Sequence, residues 1–162
     1  MTVNTHLLDT KHSIPFAREI YERFRDRLGT LDIQRHRPGF PLLGHHTISD
    51  DHNLAQVRQW MAGVGLAGLR HVVTLNLQPQ GVSLPEHTDV GRATVIIAPI
   101  SGCDQPLVVE GQRCYYHGRT MITDAKKTHS VPAHTEDRLS LQISLRHRFG
   151  TVLDRVRKYK VD

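Results

Sequence analysis

The chain has 162 residues, of which 38% are hydrophobic and 23% charged, a length that fits one domain with a substantial core. It holds no apolar run long enough to span a membrane, its start lacks the charged and apolar regions of a secretory signal, and two cysteines are too few for a disulfide framework, so a cytoplasmic protein with reduced thiols is the expectation. A formal net charge of +5 and a pI near 9.6 leave room for nucleic acid or another acidic partner, although no aromatic RNA-binding box or paired zinc-ligand motif accompanies them.

The first element predicted is an amphipathic helix from Ile14 to Leu28. Ile14, Ala17, Ile20, Tyr21, Phe24 and Leu28 recur at three- and four-residue steps. Ser13 fits the N-cap, Pro15 the first turn and Gly29 the stop. Residues 34–52 are rich in Pro, Gly and His and read as irregular, with His45-His46 in a loop and the whole stretch able to act as a short lid. Asn53 to Met61 reads as a second helix, closed by the glycines at 63, 65 and 68. Residues 1–68 are thus expected to be helical support.

From about residue 69 to 149 the pattern becomes β. His71 to Gln78 alternates, with Val73, Leu75 and Leu77 on one face and Val72, Thr74, Asn76 and Gln78 on the other. Ala93 to Ile100 is a nearly continuous apolar run, as in a buried strand. Short strands are expected at Leu107–Glu110, Arg113–His117, Thr120–Thr123, Thr128–Val131 and Leu139–Leu145. Regular spacing of this kind indicates a β sandwich or barrel. The last segment, 150–162, carries Arg155, Arg157, Lys158 and Lys160 and reads as a basic tail or solvated helix face.

Within the β region, Pro79-Gln80-Gly81 marks a turn and Val82 to Leu84 a short apolar approach to His87-Thr88-Asp89. On a strand, i and i+2 share a face, so His87 and Asp89 can converge on one ion. On a helix the same pair would diverge. Two imidazoles and one carboxylate make a facial iron(II) site with open positions, and His129 is the distal candidate. The pattern His-x-(Asp/Glu) alone is weak, with roughly one chance match expected in a chain of this composition. It occurs twice; the second copy, His134-Thr135-Glu136, lies in a polar hairpin loop and is expected to be a decoy outside the core.

His87, Asp89, His129 and Arg138, with Ser140 two residues on, form an ordered set. From Leu75 to Phe149 the chain resembles the iron(II)/2-oxoglutarate-dependent oxygenases, with some likeness to their aspartyl/asparaginyl β-hydroxylase-like branch in Arg92–Ile100 and Thr123–Val131. The resemblance implies a mainly β fold, a double-stranded β-helix (jelly-roll, cupin-like) core with supporting N-terminal helices. It implies Fe(II) held by His87, Asp89 and His129, and 2-oxoglutarate anchored by Arg138 and Ser140. It further implies dioxygen as the oxidant, succinate and CO₂ as products, and hydroxylation of a C–H bond as the outcome. Asp89 fills the ligand position that a halogenase would keep open for halide.

Arg92, just past the metal pair, could meet an anionic group of substrate or co-substrate. Asn76, Gln78 and Tyr115 are further candidates to line the site. The substrate expected is a small amino acid or a peptide side chain, and the basic balance favours an anionic one. Two other classes stay open at this point: a metal-dependent enzyme on a cupin-type barrel that does not use 2-oxoglutarate, and a non-enzymatic basic binding module. Arg138-x-Ser140 separates the first reading from the second, and His129 separates both from the third.

Overall fold

The computed structural model describes residues 3–31 and 38–159. Eleven strands and three α-helices follow one another among them: β1 Thr5–Leu7, α1 Ala17–Phe24, β2 Gly29–Leu31, β3 Leu43–Thr47, α2 Asp51–Gly63, β4 His71–Gln78, β5 Leu84–His87, β6 Thr94–Ser101, β7 Leu107–Val109, β8 Gln112–Cys114, β9 Met121–Asp124, β10 His129–Val131, β11 Arg138–Leu145 and α3 Phe149–Tyr159. The strands form a seven-stranded sheet, β1-β9-β6-β11-β4-β3-β2, and a four-stranded sheet, β5-β10-β7-β8. All pairings are antiparallel. The protein is a mainly β jelly roll of the cupin type, as the family resemblance implies; the strand spacing alone indicates only a sandwich or barrel.

The large sheet has two unlike faces, and its sequence alternation explains both. Val73 and Leu75 of β4, Ile96 and Ala98 of β6, and Leu141, Ile143 and Leu145 of β11 point outward, where they pack against Ile20 of α1, Val57 and Met61 of α2, and Val152, Leu153 and Val156 of α3. Each fully buried Leu or Ile in that layer contributes about 1.5–3 kcal/mol of apolar transfer. The inward face carries a second apolar cluster at one side, Val95, Ile97 and Met121 against Leu107, Val109, Tyr116 and Val131. Along β11 and β4 the inward positions are polar instead: Arg138, Ser140, Gln142 and Ser144 beside Thr74, Asn76 and Gln78. A buried polar stripe inside a barrel is costly unless satisfied, and it marks where the site lies.

The N-terminal helices differ from their expected bounds for local reasons. α1 begins at Ala17 with Phe16 as its N-cap and no side-chain cap bond. Ser13 is used elsewhere: its hydroxyl donates to the Asp9 carbonyl at 2.9 Å and accepts from the Thr120 N–H at 3.0 Å, tying the segment to the start of β9. Gly29 opens β2 rather than ending the helix, which passes into a 3-10 turn at Arg25–Arg27. α2 starts two residues earlier than expected because Asp50 accepts from the Asn53 N–H at 2.9 Å. His45 and His46, expected in a loop, lie on β3, paired with Asn76 and Leu75 of β4. Part of the expected lid, 38–52, is therefore a strand inside the large sheet and a helix start, and residues 34–37 lie outside the described residues.

The end of the chain also departs from expectation. Residues 149–159 are a helix with Phe149, Val152, Leu153 and Val156 buried, so the segment read as a tail is part of the core layer up to Tyr159. No described helix is long and apolar enough to cross a membrane. Cys103 and Cys114 are free thiols.

Candidate metal centre

The strand pairing brings the two histidines together. β5 and β10 are antiparallel neighbours in which His87 and His129 are register partners, and their ring centroids are 4.3 Å apart. β5 ends at His87, so Asp89 stands just beyond it, its N–H donating to the Ala125 carbonyl at 2.9 Å and its own carbonyl accepting from Lys126 Nζ at 2.9 Å. The Nε2 atoms of His87 and His129 each lie 3.6 Å from an Asp89 carboxylate oxygen, too far for hydrogen bonds. The three ligand atoms lie within 4.8 Å of one another. Bonds of about 2.1 Å meeting at right angles need ligand atoms roughly 3 Å apart, so a small closure of this triangle would seat an ion.

The surroundings suit that use. His87 Nδ1 lies 2.8 Å from the Pro85 carbonyl, and His129 Nδ1 lies 2.8 Å from the Lys127 carbonyl. A carbonyl only accepts, so each ring carries its proton on Nδ1 and leaves the Nε2 lone pair facing the triangle. Phe40 packs edge-on against the His87 ring at 5.0 Å. Arg92 donates from Nε to Asp89 Oδ2 at 2.8 Å and from Nη1 to Gln142 at 3.1 Å and Ser144 at 3.0 Å. Gly91, with φ +81°, lets the chain turn so tightly between Asp89 and Arg92. Donor set, tautomers and outer contacts all fit a divalent metal of the Fe(II) type.

The cavity beside the triad holds about 580 Å³ and is lined by Phe40, Asn76, Gln78, His87, Asp89 and Arg138, among others. A smaller inner chamber shares His87, Asp89, Arg92 and Arg138 and adds His129. Arg138 is only 4% exposed. Its Nη2 donates to the Tyr116 hydroxyl at 2.5 Å, its guanidinium lies over the Tyr116 ring, and its Nε has no hydrogen-bond partner among the described residues. Burial pushes the Tyr116 phenol and the Cys103 thiol beside it above their usual ranges, against the opposing pull of Arg138. Both neighbours are therefore neutral, and no described carboxylate pairs with Arg138. A buried cation carries a desolvation cost, and with only neutral partners among the described residues this one can receive an anion.

Gly102 helps to set this corner. It sits at φ +64° with its Cα against the Asp137 carbonyl, where any Cβ would collide with backbone. That contact brings Cys103 beside the β11 start, with its thiol 3.5 Å from the Leu139 carbonyl.

The other expected residues divide. Ser140 is buried on the same inward face as Arg138, its Oγ accepting from Gln142 Nε2 at 3.3 Å. Asn76 lines the cavity and donates to Thr74 Oγ1 at 2.8 Å. Gln78 lines it too, its Nε2 donating to the Val82 and Pro132 carbonyls. Tyr115 does not reach in: it is 42% exposed, and Tyr116 is the buried ring that meets Arg138. Alternation carried on from Cys114, which packs inward, points to Tyr116. His134 is not outside the core either. It is 3% exposed, with Nδ1 2.8 Å from the Pro132 carbonyl, and it lies near Arg138 and apart from the metal triad. Gln142, Ser144 and Phe40 are site residues that no motif marked.

No family model matches the sequence, and no curated protein matches it. Solved structures do resemble the fold. A Pseudomonas putida prolyl-4-hydroxylase superposes with a TM-score of 0.68 at 17% identity, covering 90% of this chain and 94% of that one. A Burkholderia pseudomallei oxidoreductase of the 2OG-Fe(II) oxygenase family gives 0.62 at 14% identity, covering 90% and 86%. A Trichoplax adhaerens prolyl hydroxylase, solved with a hypoxia inducible factor peptide fragment, gives 0.60 at 12% identity, covering 89% and 84%. The chain shares their fold and carries a His-Asp-His triad.

Proposed function

We propose that this chain is an Fe(II)/2-oxoglutarate-dependent dioxygenase that hydroxylates an amino-acid-like or peptidyl C–H bond. The observation that carries the reading is the buried Arg138, with an unpartnered Nε and no described counter-ion, lining the same chambers as the triad. A dicarboxylate co-substrate would supply the anion that this cation lacks.

His87, Asp89 and His129 would hold the metal on one face and leave the facing positions to co-substrate and oxygen. Bound there, Fe(II) would supply the oxidative decarboxylation of 2-oxoglutarate to succinate and CO₂, with one oxygen atom delivered to the substrate. Arg138 presents a planar fork to the distal carboxylate, Tyr116 holds that fork from behind, and Ser140 offers a hydroxyl from the same strand face. Arg92 keeps the Asp89 carboxylate aimed at the triad. Leu31, Phe40, Leu43 and Val90 give the substrate side of the cavity an apolar lining. A peptidyl substrate is in keeping with the open cavity and with the peptide bound by the Trichoplax protein. A cytoplasmic setting is in keeping with the two free thiols.

Anaerobic titration tests this. Fe(II) and 2-oxoglutarate together should give a weak visible charge-transfer band that saturates at one equivalent. Fe(II) that binds while 2-oxoglutarate changes nothing would contradict the reading.

A further inference from the structure

A second hollow, larger than the metal cavity, runs over the rim where β4 begins and β11 ends, and holds about 870 Å³. Its walls carry Arg58 from α2, Arg70 and His71 at the start of β4, Arg92 from the metal loop, and Arg146 and His147 after β11. No acidic residue lines it among the described residues. Arg58, Arg70 and Arg146 are exposed and form no ion pair among the described residues, whereas Arg23 and Arg25 on the first helical segment pair with Glu19 and Glu22. Arg92 is paired with Asp89, which leaves three guanidiniums, Arg58, Arg70 and Arg146, without a counter-charge among the described residues around one concave surface, where they focus a positive potential.

Arg92 joins the groove to the metal centre. It lines both hollows, with Nε on Asp89 and Nη1 on β11. The floor between the arginines is apolar: Leu54, Met61, Leu69 and Val72, the last 53% exposed. The charges come from separate elements, α2, the start of β4 and the segment after β11, around a hollow of about 870 Å³, more room than a single phosphate fills. Among the described residues, no Phe, Tyr or Trp lines it to stack a nucleobase.

We propose that this groove binds an acidic peptide segment, the stretch of a peptidyl substrate flanking the residue presented at the metal centre. The proposal rests on the functional reading above for what lies at the metal, and on the groove alone for the acidic recognition. Carboxylates would meet Arg58, Arg70 and Arg146 while apolar side chains between them cover the floor.

The test is fluorescence anisotropy on the full chain with a fluorescein-labelled dodecapeptide of alternating Glu and Leu. Its Gln-for-Glu counterpart and a labelled RNA dodecamer are run beside it. The acidic peptide should bind, weaken as salt rises, and bind about tenfold more weakly to the triple variant Arg58→Ser/Arg70→Ser/Arg146→Ser. The Gln peptide should bind the wild type no better than the Glu peptide binds that variant. The triple variant should keep the wild-type melting curve and the wild-type response to Fe(II) and 2-oxoglutarate. Equal binding by wild type and triple variant, no binding of the acidic peptide, or tighter binding of the RNA would overturn the proposal. Because the peptide measurement needs neither metal nor 2-oxoglutarate, a silent Fe(II) titration with normal peptide binding would sink the enzymatic reading and leave the groove standing.

Discussion

Arg92 donates from Nε to Asp89 Oδ2 at 2.8 Å while Gln142 and Ser144 of β11 hold its Nη1. The Asp89 carboxylate follows a strand of the small sheet, yet it is aimed by a side chain anchored on the large one. Loss of such an outer contact typically weakens metal binding about 10- to 100-fold. Arg92→Ala should therefore weaken Mn(II) binding, read by electron paramagnetic resonance, by about that factor, with the folded signal unchanged. Arg92→Lys should fall between, because it keeps the charge and loses the fork. An unchanged affinity in Arg92→Ala would show that Asp89 is held by its backbone contacts alone.

Arg138 should decide co-substrate affinity. Truncating one partner of a buried charge pair costs about 2–5 kcal/mol, so Arg138→Ala should weaken 2-oxoglutarate binding roughly 30- to 3,000-fold. Arg138→Lys should lie between that and wild type. Ser140→Ala should cost about 0.5–1.5 kcal/mol, one neutral hydrogen bond. Calorimetry of 2-oxoglutarate binding to the Mn(II) protein checks all three.

Tyr116 should matter to stability where Tyr115 does not. Tyr116→Phe removes the acceptor of a buried guanidinium, at a cost of about 1–3 kcal/mol. Tyr115→Phe changes an exposed residue and should stay within about 0.5 kcal/mol. Urea denaturation separates the two, and equal midpoints would refute the assigned contact.

His134 should make the fold acid-sensitive. Burial, aided by the positive charge of Arg138, lowers its pKa below the usual histidine value. The unfolded chain takes up a proton there as pH falls through about 6.5, while the folded chain resists. The neutral ring's contribution is thus fully present above that pH and is lost as pH falls towards the folded value. Between pH 7 and 5 the wild type should lose more stability than His134→Gln, measured by denaturation at each pH. His134→Gln/Glu136→Ala should retain full metal content, since neither residue belongs to the triad; loss of metal from a folded double variant would reassign the second His-x-Glu.

The parts of this structure legible in the sequence are those where one face of a strand is buried on apolar residues. Val73 and Leu75 set the register of β4, and that register put Asn76 and Gln78 inside. The triad was legible from its donor set; the i, i+2 strand argument does not place Asp89, which lies beyond the end of β5 and is held by its N–H bond to the Ala125 carbonyl. β3 was not: Leu43-Gly44-His45-His46-Thr47 has no alternation, and it is a strand because it pairs with β4, where Gly44 gives room for Leu77. α3 was hidden by its charges, although Phe149, Val152, Leu153 and Val156 keep helical spacing and are buried. The choice of Tyr115 over Tyr116 turned on parity across the end of β8 at Cys114. His134 looked solvated because its neighbours Thr135, Glu136 and Asp137 are exposed, while its own ring turns under the hairpin towards Arg138.

Succinate formed from 2-oxoglutarate under air, with Fe(II) and no added substrate, tests the central claim most directly. The wild type should form it slowly, and Asp89→Ala and His129→Ala should form none above the rate of free Fe(II). No succinate from the wild type, or a wild-type rate from a folded His129→Ala protein, would contradict the account.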